Sequence, residues 1–139
     1  MNPKAIINDR RTVLSTLWIF VTLNYLYCDV LSLMSAELLN TLLTGEVGGI
    51  KMDETTLLAA GIIMEVPIAI VLFSRILKYK ANRLTNSIAG LVMTIIMIGS
   101  LLMEAPSYHY LFFAIIEITT TLFIIWYAWT WPKPIVEAN

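Results

Sequence analysis

Cysteine and histidine occur once each in this chain, as Cys28 and His109. One cysteine excludes an intrachain disulfide, and this pair alone excludes a thiolate or imidazole cluster that a single copy could offer a metal. Charge is scarce too: Asp, Glu, Lys and Arg make up 14% of the residues, against about 25% in ordinary soluble proteins. No nucleotide-binding loop, metal motif or paired nucleophile and base is present. No metal, cofactor or nucleic-acid partner is therefore expected, and no catalytic residue is assigned. What the chain has in abundance is apolar surface. Of its 139 residues, 58% are hydrophobic, and the mean hydropathy is +0.78. A soluble domain this small leaves much of its chain exposed and could not hide that surface; lipid removes the need to.

A membrane helix needs about 20 apolar residues to cross about 30 Å of hydrocarbon. Four stretches are long enough: 12–34, 55–77, 84–103 and 110–131. The first follows Lys4, Arg10 and Arg11, as a secretion signal would. Its apolar run is too long for one, and no small-residue cleavage site follows, so it is read as a retained helix. The expected fold is all-α and integral to the membrane: a four-transmembrane-helix antiparallel bundle in a single domain, 1–139.

Orientation follows from Lys and Arg in short loops. Lys4, Arg10, Arg11, Arg75, Lys78, Lys80, Arg83 and Lys133 fall on one side of four spans, and only Lys51 falls on the other, among Glu37, Glu46, Asp53 and Glu54. Both termini are expected in the cytoplasm, in the plasma (inner) membrane. The connection 79–83 reads as tight, and so does 105–109, where Pro106 ends a helix. Glu104 is placed on the outer rim. The longer first outer loop, 35–54, reads as a short amphipathic helix starting at Ser35 and ending before Gly45, with Leu38, Leu39, Leu42 and Leu43 on one face. Gly45, Gly48 and Gly49 then give a flexible return. Trp126, Tyr127, Trp129 and Trp131 read as an aromatic belt at the inner interface.

Three acidic residues fall inside the spans. At 1.5 Å per residue, Asp29 lies roughly 7 Å, Glu65 roughly 15 Å and Glu117 roughly 10–12 Å below the outer surface. Charged side chains in hydrocarbon cost several kcal/mol and usually mark function. No Lys or Arg shares this band, so these carboxyls must be protonated, share protons, reach water or meet a cation. The helical faces point to convergence. Trp18, Thr22, Tyr25, Asp29 and Ser32 form one stripe, flanked by Asn24 and Cys28. Gly61, Glu65 and Ala69 form a small-residue face suited to close packing. Asn86, Gly90 and Thr94 form another. Ala114, Glu117 and Thr121 share a face with Tyr110 above. Pro67 frees the carbonyl of Ile63 near Glu65. Each feature also has a plainer explanation: Asp29 can snorkel to the interface, Glu117 can bond Thr121 or Tyr110, and proline is tolerated in membrane helices.

Leu17-Trp18-Ile19-Phe20, Asn24-Tyr25-Leu26-Tyr27 with Asp29, Met64-Glu65-Val66-Pro67-Ile68-Ala69, and Ser74-Arg75-Ile76-Leu77 with Asn82-Arg83 together resemble a family of small four-helix prokaryotic membrane proteins that carries only a domain-of-unknown-function designation. The resemblance covers most of the first 90 residues; the last helix matches no named family. It implies the four-helix membrane fold and brings no activity and no assigned site. DoxX-like proteins and the small multidrug transporters are analogous in shape and acidic content, which does not imply function.

Three functions follow. The first is binding or transport of a cation (a proton, a metal ion or a small organic cation) at an acidic intramembrane cavity. Its ligand-binding residues would be Asp29, Glu65, Glu117, Tyr25, Trp18, Asn24 and Tyr110, the rings offering cation–π faces. Four helices are few for a pathway, so a homodimer is expected. The second is a membrane enzyme acting on a lipid or isoprenoid by acid catalysis. The third is an accessory or assembly protein whose acids bond a partner helix.

Overall fold

In a computed structural model, residues 3–103 and 106–133 are described, with side chains from residue 9 onward. Glu104 and Ala105 lie outside the described residues. Five helices and one small hairpin follow in order: α1 Pro3–Ser32, α2 Ala36–Leu43, β1 Glu46–Val47, β2 Ile50–Lys51, α3 Glu54–Ile76, α4 Tyr79–Met103 and α5 Tyr108–Trp129. Four of the helices are long and apolar enough to cross a membrane: Asp9–Ser32 of α1, and the whole of α3, α4 and α5.

Boundaries depart from the hydropathy reading where polar helix formers flank an apolar run. α1 begins well before residue 12, and Arg10 and Arg11 are helical. The expected connection 79–83 is the first turn of α4, leaving only Leu77 and Lys78 between α3 and α4. Lys and Arg propagate a helix well but end a hydropathy window. The first loop is also more ordered than expected. Gly48 and Gly49 have φ +55 and +80, the geometry a two-residue hairpin turn demands. They join β1 to β2 with Glu46 opposite Lys51. α2 contains no buried residue.

α1 packs on α3 and α5, and α4 packs on the same two helices. The start of α1 meets the ends of α3 and α5, through Arg11 Nη2 to the Leu77 carbonyl (2.8 Å) and Arg10 Nη1 to the Tyr127 carbonyl (2.7 Å). At the other end, Ser32 of α1 bonds His109 of α5 at 3.0 Å. The core holds Leu14, Trp18, Val21, Ile70, Met93 and Ile124. The outside of α3 is strongly apolar, with Leu57, Leu58 and Ile62 each at least 60% exposed, a surface that water would not tolerate without aggregation.

The end where Arg10, Arg11, Arg75 and Arg83 gather is called the basic end below. Its arginines have a structural use that orientation rules do not reveal. Helix C-termini leave unpaired carbonyls and a partial negative charge. Arg83 donates to the Ala128 and Trp129 carbonyls at 3.2 and 2.8 Å, Arg10 caps Tyr127, and Arg11 caps the end of α3. Arg10 also lies over the Tyr127 ring, 4.3 Å from its centroid. Trp131 is not a belt residue. The chain turns back after α5, burying it edge-on against Tyr79 at 5.5 Å, and the Tyr79 hydroxyl donates to its carbonyl at 2.7 Å. Trp126 and Trp129 stay exposed.

Candidate functional site

The polar residues buried between the helices fall into two groups. Toward the basic end they bond one another. Trp18 Nε1 donates to Asn86 Oδ1 at 2.7 Å, and the Ser74 hydroxyl donates to the same oxygen at 3.1 Å. Asn86 Nδ2 donates to the Asn82 carbonyl and side-chain oxygen at 2.9 and 2.7 Å. Asn82 Nδ2 donates to the Ser74 carbonyl at 2.7 Å. Trp18, Ser74, Asn82 and Asn86 are all fully buried, and Ser15 ties α1 to α3 through the Val71 carbonyl at 2.9 Å. A buried, satisfied network of this kind fixes helix register. It places Trp18 in the core, away from the cavity for which its ring was proposed.

One turn further along α4, Gly90 lets α5 approach. A methyl there would sit 2.8 Å from Ile125 Cγ1 and 3.2 Å from the Thr121 carbonyl. Thr94 and Thr121 then share a hydrogen bond across the helices at 2.7 Å. The Asn86–Gly90–Thr94 and Ala114–Glu117–Thr121 faces are buried as expected. Gly61 differs: a Cβ there would meet nothing within 4 Å, so its face makes no close packing within the chain.

Beyond the threonine pair lies a cavity of about 120 Å³, lined by Tyr25, Cys28 and Asp29 of α1, Met64 of α3, Met93, Ile96, Met97 and Ser100 of α4, and Tyr110 and Glu117 of α5. At 1.5 Å per residue, Asp29, Ser100 and Tyr110 lie about 3–5 Å from the helix ends, whereas Glu117, Met93 and Met64 lie about 13–15 Å in. The lining therefore runs from a mouth at the end opposite the arginines to a floor at mid-depth.

Glu117 is 0% exposed, and neither of its carboxyl oxygens has a hydrogen-bond partner among the described residues. The Tyr25 hydroxyl is likewise buried and without a partner. The plainer expectation, that Thr121 or Tyr110 bonds the carboxyl, does not describe this arrangement. The Thr121 hydroxyl donates to the Glu117 backbone carbonyl at 3.0 Å, and the Tyr110 hydroxyl bonds Ser100 at 2.7 Å. A buried polar group left unpaired costs about 1–3 kcal/mol, more for a charged one. Glu117 thus sits in the fold at a cost that no hydrogen bond from the described residues offsets.

The seven residues singled out from the sequence divide plainly. Tyr25, Asp29, Tyr110 and Glu117 line the cavity. Asp29 is exposed at its mouth. Trp18 belongs to the satisfied network, and Asn24 donates to its own helix, to the Phe20 carbonyl at 2.8 Å. Glu65 is exposed on α3 and does not line the cavity, while Pro67 is buried. Ile63, whose carbonyl Pro67 was expected to free beside Glu65, does not line the cavity either. Sequence reasoning missed Met64, Met93, Ile96, Met97 and Ser100, and placed Cys28 beside the polar stripe without assigning it to the site. Met93, Met97 and Ser100 stand at i, i+4 and i+7, one helical face, but methionines on a membrane helix carry no mark that separates cavity wall from lipid contact.

Neither a curated protein nor a solved structure matches the chain. The family of unknown function DUF6326 matches residues 5–138, through the last helix as well as the first three, and the chain belongs to that family.

Proposed function

We propose that this protein sits in the plasma (inner) membrane as an antiparallel four-helix bundle, termini cytoplasmic, and binds a cation in the cavity above Glu117. The single observation behind the reading is Glu117 itself, fully buried, facing a cavity and lacking any partner for either oxygen. The basic end would lie in the cytoplasm by the positive-inside rule, so the mouth at Asp29 faces outward, and an exposed carboxylate there draws cations inward. An isoprenoid or lipid substrate fits less well, since the cavity is about 120 Å³ and an apolar cavity of about 150 Å³ is the size that binds benzene. Thermal unfolding of the purified protein in detergent tests the proposal. A ligand that binds only the folded state raises stability as its concentration passes Kd. The wild type should be stabilised by at least one cation, and Glu117→Gln should not respond. Indifference of the wild type to every cation and to pH would end the reading.

Glu65 supports a second proposal, a homodimer through α3. An exposed carboxyl at mid-helix would face hydrocarbon in a lone bundle. A carboxylic acid both donates and accepts, so it is self-complementary across a two-fold axis. Glu65→Gln keeps both functions and should remain dimeric in mild detergent, whereas Glu65→Leu should run as a monomer. A wild type that is monomeric at every detergent concentration refutes it.

A further inference from the structure

The composition of the cavity narrows the kind of cation, if the cation reading above holds. We infer that the cavity over Glu117 takes a small monovalent alkylammonium of about five non-hydrogen atoms, judged against benzene in a cavity of about 150 Å³.

The charge at the floor comes first. Glu117 supplies one carboxylate, and Asp29, the other acid lining the cavity, is exposed at the mouth. One buried charge balances one positive charge. Oxygen donors come next. Tyr110 and Ser100 are bonded to each other at 2.7 Å, and both also approach Met97 Sδ, at 3.8 and 3.6 Å. That leaves the Glu117 carboxyl and the Tyr25 hydroxyl as the unpaired acceptors. A calcium ion takes six to eight oxygen ligands, and magnesium an octahedral set, by general coordination rules; this floor offers far fewer. No group of three His, Cys, Asp or Glu residues able to hold a metal occurs among the described residues.

The walls complete the argument. Met64, Met93, Met97, Ile96 and Cys28 are apolar and polarisable. They suit methyl or methylene groups and cannot replace a hydration shell. The rings of Tyr25 and Tyr110 also line the space, and tyrosine faces attract organic cations. A soft metal ion held directly by thioethers is the nearest rival, since Cys28 and the methionines are soft ligands. Met97 Sδ is already approached by two hydroxyls, and a cavity of about 120 Å³ is far larger than a bare ion needs.

The test is thermal unfolding of the full chain in detergent at constant ionic strength. The probes are tetramethylammonium, tetraethylammonium, sodium, magnesium and silver(I). The wild type should be stabilised saturably by tetramethylammonium and not by sodium or magnesium. Tetraethylammonium should bind roughly tenfold or more weakly, because it exceeds the space. Glu117→Gln should abolish the response. Cys28→Leu, which keeps the carboxyl and fills the cavity, should also abolish it. Stabilisation by silver or magnesium alone, lost in Glu117→Gln, overturns the ligand class and leaves the cation reading standing. Silence toward all five probes overturns the ligand class; silence that extends to every cation and to pH, or equal responses from wild type and Glu117→Gln, overturns both.

Discussion

The two ends of the bundle treat buried polar groups in opposite ways. Near the basic end, Trp18, Ser74, Asn82 and Asn86 satisfy one another across three helices. Among the described residues, the few buried side-chain atoms without a partner there are Arg11 Nε, the Ser87 hydroxyl and Trp131 Nε1, none of them a carboxylate, and Arg11 is bonded elsewhere through Nη2. Toward the other end, a carboxyl with two unpaired oxygens faces a void. One half is built to hold the helices in register, and the other leaves its most demanding group open. Local violations of satisfied packing tend to sit where a protein acts.

The largest effect should come from breaking the satisfied half. Asn86 makes four hydrogen bonds, with Trp18, Ser74 and Asn82. Asn86→Ala strands all three partners in the core. Membrane helix hydrogen bonds average about 0.6 kcal/mol and stranded buried groups cost about 1–3 kcal/mol, so the expected loss is about 2–5 kcal/mol. Reversible unfolding in mixed micelles would measure it. A loss too small to detect would mean that the network does not hold the bundle, and the contrast between the halves would fail.

The opposite sign is expected at the cavity. Glu117→Met removes two unpaired buried oxygens and fills space with a flexible apolar chain. In the absence of ligand it should stabilise the protein by about 1–3 kcal/mol, measured the same way. A stabilising change that abolishes cation response would be the signature of a site that trades stability for function. If Glu117→Met destabilises strongly, the carboxyl has a structural partner, and the two halves are alike.

Two glycines sharpen the boundary between the halves. Gly90→Ala puts a methyl 3.2 Å from a backbone oxygen of α5 and closer still to Ile125. It should cost about 1–3 kcal/mol as an overpacked contact. Gly61→Ala meets nothing and should be neutral or stabilising by up to about 1 kcal/mol through helix propensity. A Gly61→Ala protein that loses its dimer while folding normally would instead place that face in the interface with a second copy.

These contrasts explain what could be read from the chain alone. Four apolar runs of membrane length survive as four helices because hydropathy is a property of each segment by itself. The inward faces of Asn86–Gly90–Thr94 and Glu117–Thr121 were legible for the same reason, since small and polar residues at helical spacing seek other helices. What was not legible depended on rotation and partners. Glu65 and Glu117 are the same residue type inside their spans, yet one is exposed and the other buried, and no local pattern distinguishes them. Trp18 looked like a ligand ring because its partner Asn86 lies 68 residues away. The arginines announced orientation by composition, but their use as caps on α3 and α5 required knowing which helix ends they would meet.

The smallest effect asks whether the acids at the end opposite the arginines are satisfied outside the cavity. Asp53 caps the start of α3, its carboxylate accepting from the Thr56 N–H at 2.9 Å, and that hydrogen bond holds its carboxyl below the usual range. A carboxyl whose folded-state pKa is depressed contributes stability above its ordinary pKa and loses it as pH falls through the folded value. The wild type should therefore show a small loss of thermal stability on acidification below the ordinary carboxylate range. Asp53→Asn keeps an acceptor at the cap but cannot titrate, so its unfolding temperature should lack that step while changing little at neutral pH. If the step persists unchanged in Asp53→Asn, other favourably held carboxyls at the end opposite the arginines carry it. Asp53 would then not be the satisfied acid against which Glu117 stands out at that end, and the comparison would rest on those other carboxyls instead.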